Sequence, residues 1–179
     1  MKDKLQNIEN NDIFFENVAL LIEQARKNVA RTVDIIMCVT YFEIGRMIVE
    51  REQQGKSRAE YGKGLIIGLS EYLTNRLGKG FSVANLKNIR KFYLLYFSQI
   101  RQQSSAELQN EKSQSMISLF ENTNLLKKSQ SQISQFYPFN LSWTHYLILI
   151  RIKNDEERSF YEIEAINQQW TLRQLQRQW

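Results

Sequence analysis

Imidazole and thiol groups are the first places to look for chemistry, and this chain has one of each, His145 and Cys38. His145 follows Ser142 on an apolar stretch with no second histidine or nearby cysteine, so a transition metal would lack the set of ligands it needs. A satisfied, half-buried structural role is expected of it. Cys38 stands alone, which leaves no disulfide framework and no thiolate metal site; it reads as a small buried hydrophobe on a helix. Glu43, Glu50 and Glu52 share a helix with Arg46 and Arg51, and surface ion pairing accounts for them. The segment "YGKGLIIGLS" has three glycines but neither the Gly-Lys-Ser/Thr ending nor the preceding strand of a phosphate-binding loop. Close helix packing is expected there. These groups supply no catalytic residue, no metal ligand and no cofactor site.

Charge is the stronger signal. The formal net charge is only +5, but residues 24–97 hold thirteen Lys or Arg against six Asp or Glu, whereas residues 1–23 hold two against five. Between Arg76 and Lys91 lie Arg76, Lys79, Lys87, Arg90 and Lys91 with no acidic residue among them. A local surplus of this kind attracts polyanions. It sits in "LGKGFSVANLKNIRKFYLLY", a glycine-bracketed turn followed by a serine and a helical pattern.

The elements around these residues follow from composition and period. One proline and seven glycines in 179 residues leave few obligatory breaks, and abundant Leu, Ile, Gln, Glu, Lys and Arg favour helix. The expected fold is an all-α, multi-helix domain over 12–179 that contains a helix-turn-helix. Asp12 can cap a first helix whose apolar residues recur from Ile13 to Ile48, with a break expected near Lys27 to Arg31 or at Gly45, and a polar turn around Gly55. A second helix runs from about Ala59 to Leu77, with Leu65, Ile66, Leu69, Tyr72 and Leu73 on its buried side. Gly78 ends it in the left-handed conformation glycine tolerates. Ser82 then caps a third helix reaching to about Phe97. Two helices joined by so short a turn form a helix-turn-helix arrangement. On the third helix Leu86, Ile89, Tyr93, Tyr96 and Phe97 form the core stripe, and Ala84, Lys87, Asn88 and Lys91 lie opposite.

Residues 98–137 are dominated by Ser, Gln and Asn and carry a near-duplicate, "KSQSMIS" and "KSQSQIS". This composition reads as a polar, low-complexity insertion or linker, in which Met116 to Phe120 and Leu125 with Leu126 supply enough apolar surface for a helical turn or two. Trypsin is expected to cut first at Arg101, Lys112, Lys127 or Lys128, ahead of Arg46 or Arg90. Beyond Pro138, Ser142 caps a helix over Trp143 to Lys153, Asn154 or Asp155 starts another with acidic residues in its first turn, and Thr171 caps a short last one.

Three blocks, "YFEIGRMIVEREQQGKSRAEYGKGLIIGLSEYLT", "GKGFSVANLKNIRKFYLLY" and "LSWTHYLILIRIKNDEERSFYEIEAINQQWTLRQLQRQ", resemble the N-terminal domain of the YhcG-like family, classed with the PD-(D/E)XK nucleases. The resemblance implies a helical DNA-binding domain of helix-turn-helix type, followed in full-length members by a nuclease half that this sequence does not contain. Phe42 stands where the family commonly has Trp, a change expected to affect packing. A nuclease of that class needs an Asp and an Asp/Glu-x-Lys pair to hold Mg²⁺ and orient water. No lysine here has an acidic residue two positions before it, and the four Asp residues, Asp3, Asp12, Asp34 and Asp155, fall in helical or terminal contexts.

The expected function is therefore a non-catalytic DNA-binding module with double-stranded DNA as partner. Ser82 and the N–H groups after it would take a phosphate, Arg76, Lys79, Arg90 and Lys91 would neutralise backbone, and Lys87 and Asn88 would reach base edges. The alternative is a helical interaction module that dimerises or docks a separate nuclease subunit, since Leu94 and Leu95 fall outside the core stripe and "LRQLQRQW" looks exposed. No apolar run approaches the roughly 20 residues of a membrane span, and the Met1 end lacks a signal-peptide core. A cytoplasmic location, with no membrane partner, is expected.

Overall fold

The computed structural model describes residues 2–54, 58–103 and 139–179, with side chains over 11–53, 62–98 and 139–179. Six helices are present among them: α1 (Lys2–Gln54), α2 (Arg58–Leu77), α3 (Val83–Gln103), α4 (Trp143–Leu149), α5 (Asp155–Asn167) and α6 (Leu172–Gln178). The described residues hold no strand, and the fold is all-α. The turn at Gly55, residues 104–137 of the polar insertion and Pro138 lie outside the described residues, as do the expected trypsin sites beyond Arg101.

α1 is one continuous helix of 53 residues, so neither expected break occurs, and it begins before Asp12. Gly45 has a different use. A Cβ there would stand 2.6 Å from the Ile89 carbonyl oxygen and 2.7 Å from Tyr93 Cβ, distances no real side chain tolerates. Gly45 lets α1 and α3 approach backbone to side chain, and Ile89 and Tyr93 are both buried.

The α2–α3 turn is built as its residue types require. Gly78 and Gly80 have φ of 88° and 119°, values that penalise any residue with a Cβ. Ser82 caps α3 by accepting from the Asn85 amide at 3.3 Å. The Asn85 side chain then donates to the Gly80 carbonyl at 2.6 Å and accepts from Trp143 Nε1 at 3.2 Å. One asparagine thus ties the turn to α4.

The core gathers rings from several elements. Phe92 is fully buried, with ring centroids 4.9 Å from Phe139, 5.0 Å from Tyr146 and 5.3 Å from Trp143. Phe42 packs 4.9 Å from Tyr93 and 5.5 Å from Phe139, so its part is packing. The expected stripes are right at their centres and wrong at their edges. Leu86, Ile89, Tyr93 and Tyr96 are buried, whereas Phe97 and Tyr72 are exposed. Phe92, on the Tyr96 side of the stripe, is buried because α4 and Phe139 cover α3 there. α3 also runs on to Gln103, past the expected end at Phe97, so the first residues of the polar insertion are helical.

The C-terminal helices are held by capping and by a buried polar network. Asn154 accepts from the Glu157 amide at 2.9 Å, and Thr171 with Gln174 forms a capping box. Ser142 sits at the start of α4 but makes no side-chain cap; its hydroxyl is 2.7 Å from His145 Nδ1. His145 Nε2 lies 3.0 Å from the Trp170 carbonyl, to which it must donate, so the half-buried imidazole fastens α4 to the α5–α6 connection. α4 stops at Leu149, short of Lys153. Cys38 is buried, donates to the Leu141 carbonyl at 3.4 Å, and its thiol is pushed up by burial and by Asp34 and Glu162. Tyr96 and Tyr146 donate to the two oxygens of Glu162 at 2.9 and 3.0 Å.

Replacing Gly45 by Ala should destabilise the domain by about 1–3 kcal/mol, the usual cost of overpacking. At ~2–4 °C per kcal/mol for a chain of this size, thermal unfolding followed by circular dichroism should show a lowered midpoint.

Burial pushes the Glu162 carboxyl above its ordinary value of 4.5, against the lowering effect of the two tyrosines and Arg158. A raised folded pKa means that the stability this group contributes is fully present below the unfolded value and is lost as pH rises through the folded one. Glu162→Gln carries no such loss. The melting temperature of the wild type relative to Glu162→Gln should therefore fall as pH is raised from 4 to 7, and a constant difference would contradict the burial argument.

Candidate nucleic-acid interface

α1, α2 and α3 enclose a groove of ≈ 520 Å³, lined by Glu52, Gly62, Lys63, Ile66, Lys87, Arg90, Lys91 and Leu94. Its position follows from the helix crossings. Gly45 brings α3 against α1, and Leu86 and Ile89 of α3 bury together with Ile48 of α1 and Ile66 of α2. The helical period then puts Lys87 and Lys91 one turn apart on the open side of α3. Both are exposed, as is Lys63 on α2.

Arg90 is held differently. Its Nε donates to Glu52 at 2.6 Å, across 38 residues of sequence. Glu52 therefore belongs to the α1–α3 contact and not to a surface pair with Arg46 or Arg51. Arg46 instead bonds Glu43 and Glu50, each at 2.7 Å, and Glu43 is buried, not at the surface. Gly62 sits over the Glu52 carboxylate, where an added Cβ would be 2.9 Å from its oxygen. Gly64 and Gly68 face open space, so close packing in "YGKGLIIGLS" holds for Gly62 alone.

The remaining sequence candidates lie away from the groove lining. Arg76, at the end of α2, donates to the Tyr72 hydroxyl at 2.8 Å. Lys79 is exposed in the turn between Gly78 and Gly80, Ser82 is engaged as the cap of α3, and Asn88 is half-buried. The structure thus brings together Lys87, Arg90 and Lys91, adds Lys63, and leaves Arg76, Lys79 and Ser82 at the turn. Lys63 was missed because nothing in its own segment points to α3; only the α2–α3 packing makes it a neighbour. Asn85 was missed for the same reason, since its partner Trp143 is 58 residues away.

Among the described residues no three His, Cys, Asp or Glu side chains gather to hold a metal ion, and no helix is long and apolar enough to cross a membrane. Compared with known protein families, residues 17–179 match the DUF1016 N-terminal domain. The chain belongs to that family. The chain is 38% identical over 165 residues to the protein named "Putative nuclease YhcG" of Escherichia coli strain K12, a match that covers 91% of this chain and 43% of that protein. The chain thus spans less than half the length of this relative and is similar to its N-terminal part. No solved structure matches this DUF1016 N-terminal domain.

Proposed function

We propose that this domain is a non-catalytic, helix-turn-helix DNA-binding module whose phosphate-contacting surface is the basic groove between α2 and α3. The observation that carries the reading is the convergence of Lys63, Lys87 and Lys91 on a groove whose lining includes one carboxylate, Glu52, itself paired with Arg90. A groove of one charge sign bounded by low-dielectric walls concentrates potential. Arg76 and Lys79 extend the positive surface along the turn, and Arg90, held by Glu52, adds its exposed edge. Ser82 and the amides after it serve one phosphate at the start of α3. Lys87 and Asn88 are the candidates for base edges, with Lys87 the freer of the two. Similarity to the N-terminal part of a protein named a nuclease supports a partner of this kind. The lack of any Asp/Glu-x-Lys pair in the sequence supports assigning no cleavage to this chain.

Duplex DNA binding measured across a salt series tests this. With about four phosphates engaged, log affinity should fall with log salt at a slope near −3.6, from roughly −0.9 per phosphate. Lys87→Ala with Lys91→Ala should flatten the slope by about 1.8, and adding Lys63→Ala by about 0.9 more. All three side chains are exposed, so the variants should keep the wild-type circular dichroism spectrum. Plasmid incubated with the protein and Mg²⁺ or Mn²⁺ should remain uncut. Absence of binding at low salt, unchanged slopes in the variants, or metal-dependent nicking that co-elutes with the protein would each overturn the proposal in the part it addresses.

A further inference from the structure

The N-terminal part of α1 stands clear of the other described helices: residues 11–31 are exposed throughout, and Arg31, at the end of this stretch, donates to Asn140 Oδ1 at 3.4 Å. Phe14, Val18, Leu21, Ile22, Ala25 and Val29 fall within about 100° of helix surface, taking 100° per residue. Asp12, Glu16, Glu23, Lys27 and Arg31 occupy the opposite side by the same period, with Ile13 and Leu20 exposed among them. Phe14 is 60% exposed, Leu21 71% and Val29 65%, and a stripe of this size on a helix in water marks an interaction surface.

We infer that this stripe is covered by the same stripe of a second copy of the chain, running antiparallel. The segment is self-complementary about one point, midway between Leu21 and Ile22. Leu21 and Ile22, Val18 and Ala25, and Phe14 and Val29 are three pairs, each equidistant from that point. An antiparallel partner therefore sets apolar on apolar at every layer of the stripe. The charges obey the same symmetry: Asp12 and Arg31 are equidistant from it, and so are Glu16 and Lys27. An antiparallel copy lays the acidic half of one helix along the basic half of the other, while a parallel copy lays like on like. Because these charges stand away from the seam, they select direction more than they add affinity.

A single two-fold axis through that point satisfies both patterns, as an isologous interface requires. Lipid fits less well. Surface-seeking helices are rich in Lys and Arg on the polar face, whereas here Asp12, Glu16 and Glu23 balance Arg26, Lys27 and Arg31. The seam from Phe14 to Val29 is about 23 Å long at 1.5 Å per residue, at the small end for a specific interface of ~1,200–2,000 Å². Association in the micromolar range follows.

Light scattering on the full chain from 1 to 100 µM should show a mass rising from 21.3 kDa towards twice that value. Leu21→Glu with Ile22→Glu should hold it at 21.3 kDa, while circular dichroism shows the protein still folded, since neither side chain packs on the body. For direction, a mixture of Val18→Cys and Ala25→Cys proteins should form a disulfide-linked heterodimer on mild oxidation, and Val18→Cys alone should not. Wild type that stays monomeric at 100 µM, a double variant that dimerises as wild type does, or efficient Val18→Cys self-linkage would overturn the inference. None of these outcomes depends on whether the domain binds DNA.

Discussion

The crossing of α1 over α3 at Gly45 is the constraint on which the rest of this domain is built. With no side chain at that point, the Ile89 carbonyl and Tyr93 can reach the α1 backbone, and α1 and α3 become one rigid pair. Everything that makes a surface follows. Phe42 comes within ring contact of Phe92 and Tyr93, Glu52 comes within 2.6 Å of Arg90, and the outer face of α3 is turned towards α2. A methyl group at residue 45 would push on all of these together, because a close-packed interior transmits displacement.

A second set of contacts fixes α3 from its other side. Trp143 reaches Asn85, and Tyr146 and Tyr96 share Glu162. The Arg158 guanidinium lies 5.7 Å from the centre of the Tyr96 ring and bonds Asp155 at 2.9 Å. These are polar groups taken out of water, each costly unless satisfied. Arg158 Nε is buried without a partner; the tyrosine hydroxyls, the Glu162 oxygens and Asn85 are satisfied, and they specify one packing of α4 and α5 on α3. His145 belongs with them, for its Nε2 joins α4 to the α5–α6 connection through the Trp170 carbonyl while Nδ1 is held by Ser142 at the start of its own helix.

Local signals were legible in the sequence where their causes are local. Gly78 and Ser82 bracket a turn because left-handed φ and an N-cap hydroxyl are properties of single residues, and both stand where expected. The end of α2 and the starts of α3, α5 and α6 were readable for that reason. Gly45 reads as a break in the sequence because an isolated glycine looks the same whether it interrupts a helix or admits a neighbour. Phe92 falls outside the stripe that the sequence predicts because the period gives the direction of a buried face and not its width; width is set by how many elements cover the helix. Of the groove lining, the outward position of Lys87 and Lys91 is legible from the α3 pattern alone. Lys63, Glu52 and Asn85 were not, since each acquires its part only through a partner far away in sequence.

That difference bears on what the groove can do. From sequence, Arg76 to Lys91 is an acid-free basic run in which Arg76, Lys79, Arg90 and Lys91 look equivalent. In the fold they are not, because Glu52 arrives from α1 to neutralise Arg90 while Lys87 and Lys91 stay exposed beside Lys63. The charge offered to a polyanion is therefore narrower than the linear count and drawn from two helices. Its spacing depends on the angle between α2 and α3, and so on the Gly78–Gly80 turn and the Asn85 bonds that hold it. A phosphate backbone read by this surface would be read through the geometry of that turn as much as through the lysines themselves.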